Sequence, residues 1–446
     1  MENSRKSVCD LTRRVAATLS TVVPAGASIL VGLSGGVDSV VLLHVLAQLA
    51  PRFSWKLSVL HVHHGISSRA DAWAEFCENL CAQYGLPVYL EHVKIAPLRQ
   101  MGVEAAAREL RHAALARQPV DFIALAHHLD DQVETMLLQL LRGAGVKGAA
   151  AMPVLKSRGG APHVLRPLLD LTREQLLAYA RKHALQWVED ESNADHAYPR
   201  NFLRHRVLPV LEQRFPAYRA TLARSARHFA EAAELMHLLA VQDAQDAFDG
   251  TTMAVARLVE LEPVRASNLL RWFLQQRGAL LPDHTRLEEM LRQLREARPE
   301  AQICVTWDDR ELRRYRDRVH VCRTLPEPDA DLCVPWQGEE ELKLPQMDGV
   351  LRFVRCTGEG LSLEKLQAAP VTIRLRRGAE RLRPDAARPA RSLKYLFQEH
   401  GVPPWQRGRW PLGFCGEKLV VVPGIGAEYS YQAAPQEPGV VLIWSR

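Results

Sequence analysis

The sequence lacks the spacings by which cysteines usually announce a metal or redox site. Its eight cysteines are scattered through 446 residues, and none forms a C-x-x-C pair. That argues against a zinc ribbon and against a thioredoxin-like motif. Cys77 and Cys81 lie four apart and read as positions on a helix face. Such usage fits a reducing, cytoplasmic compartment. No apolar run reaches the roughly 18 residues of a membrane span, and the charged start, Met1 to Lys6, is unlike a secretory leader. No membrane partner is expected. Aromatic residues are only 7% of the chain, so its cores must rest on Leu, Val and Ala. There is no internal repeat and no low-complexity tract.

What remains is ordinary globular composition, 47% apolar and 24% charged, with a formal net charge of +6. The length suits about three domains. From 28 to about 166, short apolar runs (28–33, 56–62, 87–93, 122–126, 164–165) alternate with helical patterns (40–49, 69–84, 103–117, 132–141). This rhythm predicts an α/β domain with a doubly wound, mainly parallel sheet. Thr172 and Gln175 have the spacing of a capping box. A mainly helical tract follows from 201 to about 248. Helices over 263–276 and 284–296 then precede strands over 302–307, 311–316 and 319–321, a helical, α+β middle domain. Residues 324–370 hold four basic against nine acidic residues, and 371–446 hold twelve against six. The reversal marks a boundary. The expected domains are 1–215, 216–323 and a small α+β unit at 371–446, with 324–370 as a linker.

The informative residues fall where strands end. Ser34-Gly35-Gly36-Val37-Asp38-Ser39 stands between the first apolar run and the first helix. Glycines at a helix start allow an anion close to backbone N–H groups and the helix dipole. Asp38 is placed to cap the helix or to help hold Mg²⁺. No lysine follows Gly36, so this is not the G-x-x-x-x-G-K-[ST] loop, and G-x-G-x-x-G is absent there. His61-Val62-His63-His64-Gly65 ends the second run. His61 and His63 share a face while His64 turns away, and no close Cys or carboxylate completes a zinc set.

After the fourth run comes His127-His128-Leu129-Asp130-Asp131-Gln132-Val133-Glu134. Asp131 and Glu134, three apart at a helix start, share a face and read as a catalytic carboxylate pair; the plainer alternative is acids favourable to the helix dipole, with Asp130 as cap. Glu104, Arg108 and Arg111 share another helix face. Arg142-Gly143 opens a basic, flexible loop, and Arg200 and Arg204 begin an arginine-rich helix able to reach phosphates or RNA. Near the C-terminus Arg374, Arg376, Arg377, Lys394 and Arg407 lie among Trp and Tyr residues, a composition suited to RNA contacts.

The loop at 34–39 resembles the pyrophosphate (PP) loop of the N-type ATP pyrophosphatases, which cleave ATP between its α- and β-phosphates. With 61–65, 104–111, 127–134, Arg142-Gly143, Arg166-Pro167-Leu168-Leu169, 189–193, 200–204, Leu269 to Trp272, Ser392 to Phe397 and 402–411, nearly the whole chain looks like the tRNA(Ile)-lysidine synthetases. Departures are mild: His112 stands where an aromatic is usual, and 148–152 is alanine-rich.

The resemblance implies a ligase. ATP adenylates the wobble cytidine of isoleucine tRNA with anticodon CAU, free L-lysine attacks carbon 2, and AMP leaves. It implies ATP binding at Ser34, Gly35, Gly36, Val37, Asp38 and Ser39, with His61 and His63 near adenine and ribose. Asp38 and Asp131 would lie near Mg²⁺. Arg108 or Arg204 would stabilise the α-phosphate, and Asp131 and Glu134 would bind the lysine. Arg142, Arg200 and the C-terminal cations would hold tRNA. No stable protein partner is inferred. The alternatives are a tRNA thiolation enzyme, for which Cys77 and Cys81 are the only candidate pair, a small-molecule ligase, and a non-catalytic RNA-binding protein.

Overall fold

A computed structural model describes the chain apart from residues 1, 66, 68, 95–102, 158, 159, 161, 190, 192–197, 299, 300 and 446, and apart from the side chains of 2–10 and 103–105. The Glu104 side chain and most of the acidic loop 189–193 thus lie outside the described residues. Two units are formed, Met1–Leu238 and Leu239–Arg446.

The first unit realises the alternating pattern as α1 (Glu2–Ser20), β1 (Ser28–Gly32), α2 (Val37–Phe53), β2 (Lys56–His63), α3 (Ala70–Gln83), β3 (Val88–His92), α4 (Val103–Ala116), β4 (Phe122–Ala124), α5 (Leu129–Leu141), α6 (Val146–Ala149), β5 (Leu155–Lys156), β6 (His163–Leu165) and α7 (Arg173–Lys182). The sheet order is β3-β2-β1-β4-β6-β5. All pairings are parallel except that of β5 with β6 at the edge.

Both faces of β1 are covered, which is why its central residues, Ile29, Leu30 and Val31, are all apolar. Ile29 and Val31 enter a core with residues of α1, α2, α3 and α7. Leu30, pointing the other way, joins Ala114 and Leu115 of α4. The chain winds from β1 out to β3 and returns on the other side of β1 as β4. The order therefore reverses between β1 and β4, the place where open α/β sheets bind ligands at their strand carboxyl ends. Residues 34–39 follow β1 and 127–134 follow β4, so topology delivers both motifs to one crevice.

Helix entries follow local chemistry. Thr172 Oγ1 accepts the Gln175 N–H at 3.2 Å, and Gln175 Oε1 accepts the Thr172 N–H at 2.9 Å, the expected capping box. The tract from 201 is more broken than its pattern suggests. It comprises α8 (Pro199–Phe202), a π turn over Leu203–Val207, α9 (Leu208–Arg214) and α10 (Tyr218–Ala244). Phe215, before Pro216, leaves the helical region at φ −129°, ψ 74°, as the proline ring demands of its predecessor.

In the second unit the helices Pro263–Gln276 and His284–Glu296 form as the pattern predicts. They share a core with the antiparallel strands Cys304–Trp307, Arg310–Tyr315 and Arg318–Arg323. The expectation of a linker over 324–370 is corrected. Gly349–Thr357 pairs with Pro438–Ser445 from Val350 onward, and Cys333–Pro335 pairs with Val371–Arg374. Leu344, Met347, Leu351, Phe353 and Leu366 are buried with Ile373, Val420 and Leu442. Its alternating apolar residues build the C-terminal core, and acids such as Glu341 are outward positions of those strands. Among the described residues no helix is long and apolar enough to cross a membrane.

Candidate active site

The turn after β1 is braced from within. Ser39, 4% exposed, donates its hydroxyl to Gly36 O at 2.9 Å and accepts the Ser34 N–H at 3.2 Å. The hydroxyl of Ser39, one of the residues for which the resemblance implies ATP binding, thus holds the turn's shape. Gly35 has φ +86°, and a Cβ there would lie 2.8 Å from Val188 Cγ2. Gly36 has open space, a Cβ meeting only Ser34 Oγ at 3.6 Å, so its backbone is approachable. Gly36 is the N-cap of α2 and Asp38 lies in the first turn. Capping is therefore not Asp38's task. Val37 is buried and offers only backbone.

Across the crevice, His128 is the hub of three carboxylates. Its Nε2 lies 3.6 Å from Asp38 Oδ2 and 3.5 Å from Asp131 Oδ2, and its Nδ1 lies 3.5 Å from Asp130 Oδ2. Burial alone lowers an imidazole pKa, but Asp130, Asp38 and Asp131 more than offset it and raise His128 to about 10. His128 is thus a buried cation joining the two motifs. Asp130 is not the helix cap; His128 holds that position, with its N–H donated to Asp131 Oδ2 at 3.0 Å. Asp130 accepts the Arg173 N–H at 2.9 Å and Arg219 Nε at 2.6 Å.

Glu134 has no exposed surface. Arg200 Nε reaches its Oε2 at 2.7 Å and Arg204 Nε its Oε1 at 2.7 Å. Both guanidinium groups also approach Asp131 Oδ1, at 3.3 and 3.4 Å. Burial works to raise the Asp131 pKa, but His128, Arg200 and His127 hold it below the usual carboxylate range. The expectation that Glu134 stands ready for an ammonium is corrected in one respect: two arginines occupy it, so another cation must displace one of them. The π turn carries Arg204, and such turns often sit at functional sites.

Around His127, at the end of β4, positive charge gathers. Its pKa falls to about 3, through burial first and then Arg166, Arg200 and Arg108, against the pull of Asp131. Arg111 is likewise lowered to about 10 by burial, Arg108 and Arg200. Arg108 and Arg111 of α4, Arg166 after β6 and Arg200 of α8 come from three stretches of chain yet act on one locus, which suits a phosphate. Arg166, 6% exposed, enters the sequence reading only within the motif Arg166-Pro167-Leu168-Leu169 and is given no role there. A signal for it exists: a charge directly after the apolar run of β6, the pattern that flags His127 after β4.

The histidine cluster is divided. His61 is 6% exposed, with Nδ1 2.9 Å from Leu33 O and 3.4 Å from Cys77 Sγ. It braces the wall behind the turn. His63 pairs with Asp71 at 3.0 Å and lies against His92. Burial and then Arg111 lower His64 to about 4. Among the described residues no group of three or more His, Cys, Asp or Glu could hold a metal by itself.

A Mg²⁺ ion, however, is commonly held by one or two carboxylates plus substrate phosphates. Asp38 fits that demand, since its buried Oδ1 has no hydrogen-bond partner among the described residues. Asp131 fits it less well than expected: one oxygen accepts a backbone N–H and the other faces two arginines.

The expected RNA contacts are dispersed. Arg142 is exposed at the end of α5, and Lys394 is exposed in the second unit. There Arg374 pairs with Glu417 at 3.0 Å, Arg377 with Asp331 at 3.2 Å and Arg376 with Glu380 at 3.8 Å. Arg407 Nε donates to Val402 O at 2.8 Å.

A glycine turn at the switch point of a doubly wound sheet, facing buried acids and arginines, defines a PP-loop nucleotide-using protein. Residues 10–211 match the family model of the PP-loop domain. Residues 253–320 match the TilS substrate binding domain, and 371–444 the TilS substrate C-terminal domain. The tRNA(Ile)-lysidine synthase of Nitrosomonas europaea is 44% identical over 442 residues, 98% of this chain and 96% of that one. That of Aromatoleum aromaticum is 41% identical over 93% of this chain and 97% of its own, and that of Coxiella burnetii 35% over 94% and 93%. The chain belongs to the tRNA(Ile)-lysidine synthase family, a family of ligases.

Proposed function

We propose that this chain uses ATP and free L-lysine to convert the wobble cytidine of isoleucine tRNA with a CAU anticodon to lysidine, releasing pyrophosphate and AMP. The observation that carries this reading is the meeting, through His128, of the braced turn at 34–39 with the Asp131–Glu134–Arg200–Arg204 cluster.

The carbonyl oxygen on carbon 2 of cytidine is a poor leaving group, so it must first be adenylated. That oxygen attacks the α-phosphorus and pyrophosphate departs. The turn and the start of α2 receive the departing anion, as helix N-termini do. Arg108, Arg111, Arg166 and Arg200 supply positive charge where the α-phosphate gains negative charge. Asp38 would hold Mg²⁺, which neutralises phosphate charge when bound.

The second half concerns the amine. A lysine ε-ammonium has a pKa of about 10.4 and cannot attack until it loses a proton. Asp131 and Glu134 already attract two cations, so the site favours positive charge. The lysine ammonium takes the place of one guanidinium on Glu134, and the freed arginine turns to the phosphate. Asp131, with its lowered pKa, is a weak base in the open site. It accepts the proton once the tRNA base has excluded water, which raises its basicity. The deprotonated amine then adds to carbon 2 and AMP leaves with the oxygen.

The thiolation alternative is disfavoured by Cys77 and Cys81. Both are fully buried, and burial pushes their thiols up to about 12 and about 11. Purified protein with ATP, labelled lysine and an isoleucine tRNA transcript tests the reading. Label should enter that tRNA, with AMP formed, and should not enter methionine tRNA, which has the same anticodon. Absence of lysine transfer, or sulfur transfer instead, would refute it.

A further inference from the structure

We infer that RNA is gripped in the second unit by a cleft between the middle sheet and the segment 404–409, and not by the arginines at 374–377. This rests on the reading that tRNA is the substrate. The cleft measures 1310 Å³, larger than the roughly 300–1,000 Å³ of ordinary small-molecule pockets. Seven arginines and three carboxylates line it, with no lysine.

The way these arginines are held separates them from the C-terminal ones. Arg277 donates to Gly250 O, Arg316 to Gln398 O, and Arg409 to Leu325 O and Gln346 O. A backbone carbonyl orients a guanidinium without cancelling its charge. Arg323, also in the lining, is exposed. None of these four has a carboxylate partner among the described residues. The other three lining arginines do, Arg313 at Glu311, Arg310 at Asp309 and, at 3.9 Å, Arg314 at Asp317. Arg374, Arg376 and Arg377 are each matched by a carboxylate.

Three donors are left over. Arg277 Nε, Arg310 Nε and Trp405 Nε1 are buried, belong to lining residues and have no hydrogen-bond partner among the described residues. Buried donors left unmade are costly. Fixed positive charge with spare N–H donors, in a space too large for one nucleotide, fits a sugar–phosphate strand. Its phosphates accept from arginine and its 2′-hydroxyls accept from neutral donors.

The test uses the full chain and an isoleucine tRNA transcript, with dissociation constants measured across a salt series. Arg277→Gln, Arg316→Gln and Arg323→Gln combined should weaken binding at least about tenfold near physiological salt. The variant should also flatten the dependence of log K on log salt by about one unit for each phosphate no longer engaged. Arg376→Gln with Arg377→Gln, a control for charge removal, should change binding less than about twofold. Trp405→Phe, which removes one neutral donor, should weaken binding without altering the slope. It and Arg323→Gln alone decide the matter should the triple variant not fold. ATP binding should be unchanged in all.

Unchanged affinity and slope in the cleft variants, or an equal loss in the control, would overturn the inference while leaving the functional reading intact. A wild-type chain that binds ATP but no tRNA would overturn both. Tighter binding of polyglutamate than of tRNA, lost in the same variants, would give the cleft to an acidic protein partner and overturn it too.

Discussion

Arg204 grips Glu134 at both ends of the carboxylate, Nε to Oε1 at 2.7 Å and Nη2 to Oε2 at 3.0 Å. Glu134 has no exposed surface, so removing its charge strands two guanidinium groups in a site shielded from solvent. Glu134→Gln should lower the stability of the chain by about 3 kcal/mol, the cost of breaking a buried pair from one side. Urea unfolding measures this. The variant should also raise the KM for lysine far more than the KM for ATP. Equal effects on both substrates would remove Glu134 from the lysine site.

Asp38 gives a different signature. Its Oδ1 has no hydrogen-bond partner among the described residues, but its Oδ2 lies 3.6 Å from Nε2 of the buried His128, so Asp38→Asn should unfold below the wild-type midpoint, though by less than Glu134→Gln. Loss of the charge should cut adenylation by about 10²–10³-fold, the scale seen when one preorganised electrostatic group is removed. ATP–pyrophosphate exchange against Mg²⁺ concentration gives the readout, with weakened metal dependence expected.

Gly35→Ala combines two penalties. The residue sits at φ +86°, and the new methyl carbon would meet Val188 Cγ2 at 2.8 Å. The backbone term alone is about 1–2 kcal/mol. A lower melting temperature should accompany loss of ATP binding, measured by calorimetry. Gly36→Ala, where space is open, should fold normally and separate shape from stability.

His320 makes the second unit sensitive to mild acid. Burial first, and then Arg318, lower its pKa to about 4 from 6.5, while Asp249 acts in the other direction. The folded state therefore prefers the neutral ring. Its contribution is complete above about pH 6.5 and shrinks as pH falls toward 4. By pH 5 the loss should be about 2 kcal/mol. Unfolding at pH 7 and pH 5, with His320→Gln as the flattened reference, measures it.

Cys77 and Cys81 should be dispensable for chemistry. Double replacement by alanine should cost about 1–2 kcal/mol of packing and leave turnover within about threefold of wild type. A total loss of activity in a folded variant would restore the thiolation alternative.

Much of the active crevice is legible because its signals are local. The apolar 28–33 run, the glycines at 35 and 36 and the histidines at 127 and 128 mark strand ends without help from the rest of the chain. What tertiary structure adds is not readable. Nothing near Ser39 in sequence says that its hydroxyl turns inward, and nothing near Glu134 says that residues 66 and 70 positions later will cover it. The acidic 324–370 stretch misleads for a physical reason. Its charge suggests a domain boundary, but in antiparallel strands polar residues occupy alternate outward positions while Leu351 and Phe353 face the core. Arg374, Arg376 and Arg377 mislead likewise, since a count of cations does not show which ones the fold neutralises.

The widened turn at Leu203–Val207 has a consequence for insertions and deletions. An α-helix advances about 100° per residue, and the π turn accommodates one residue more than a regular helix would. Removing one residue from the turn would therefore let it close as ordinary helix and leave α9 in register, so Leu208 and Leu211 would keep their packing with Val133 and Tyr218. What would go is the widened turn itself and with it the aim of Arg204 at Glu134, so a one-codon deletion should fold and yet fail in chemistry as loss of the arginine does.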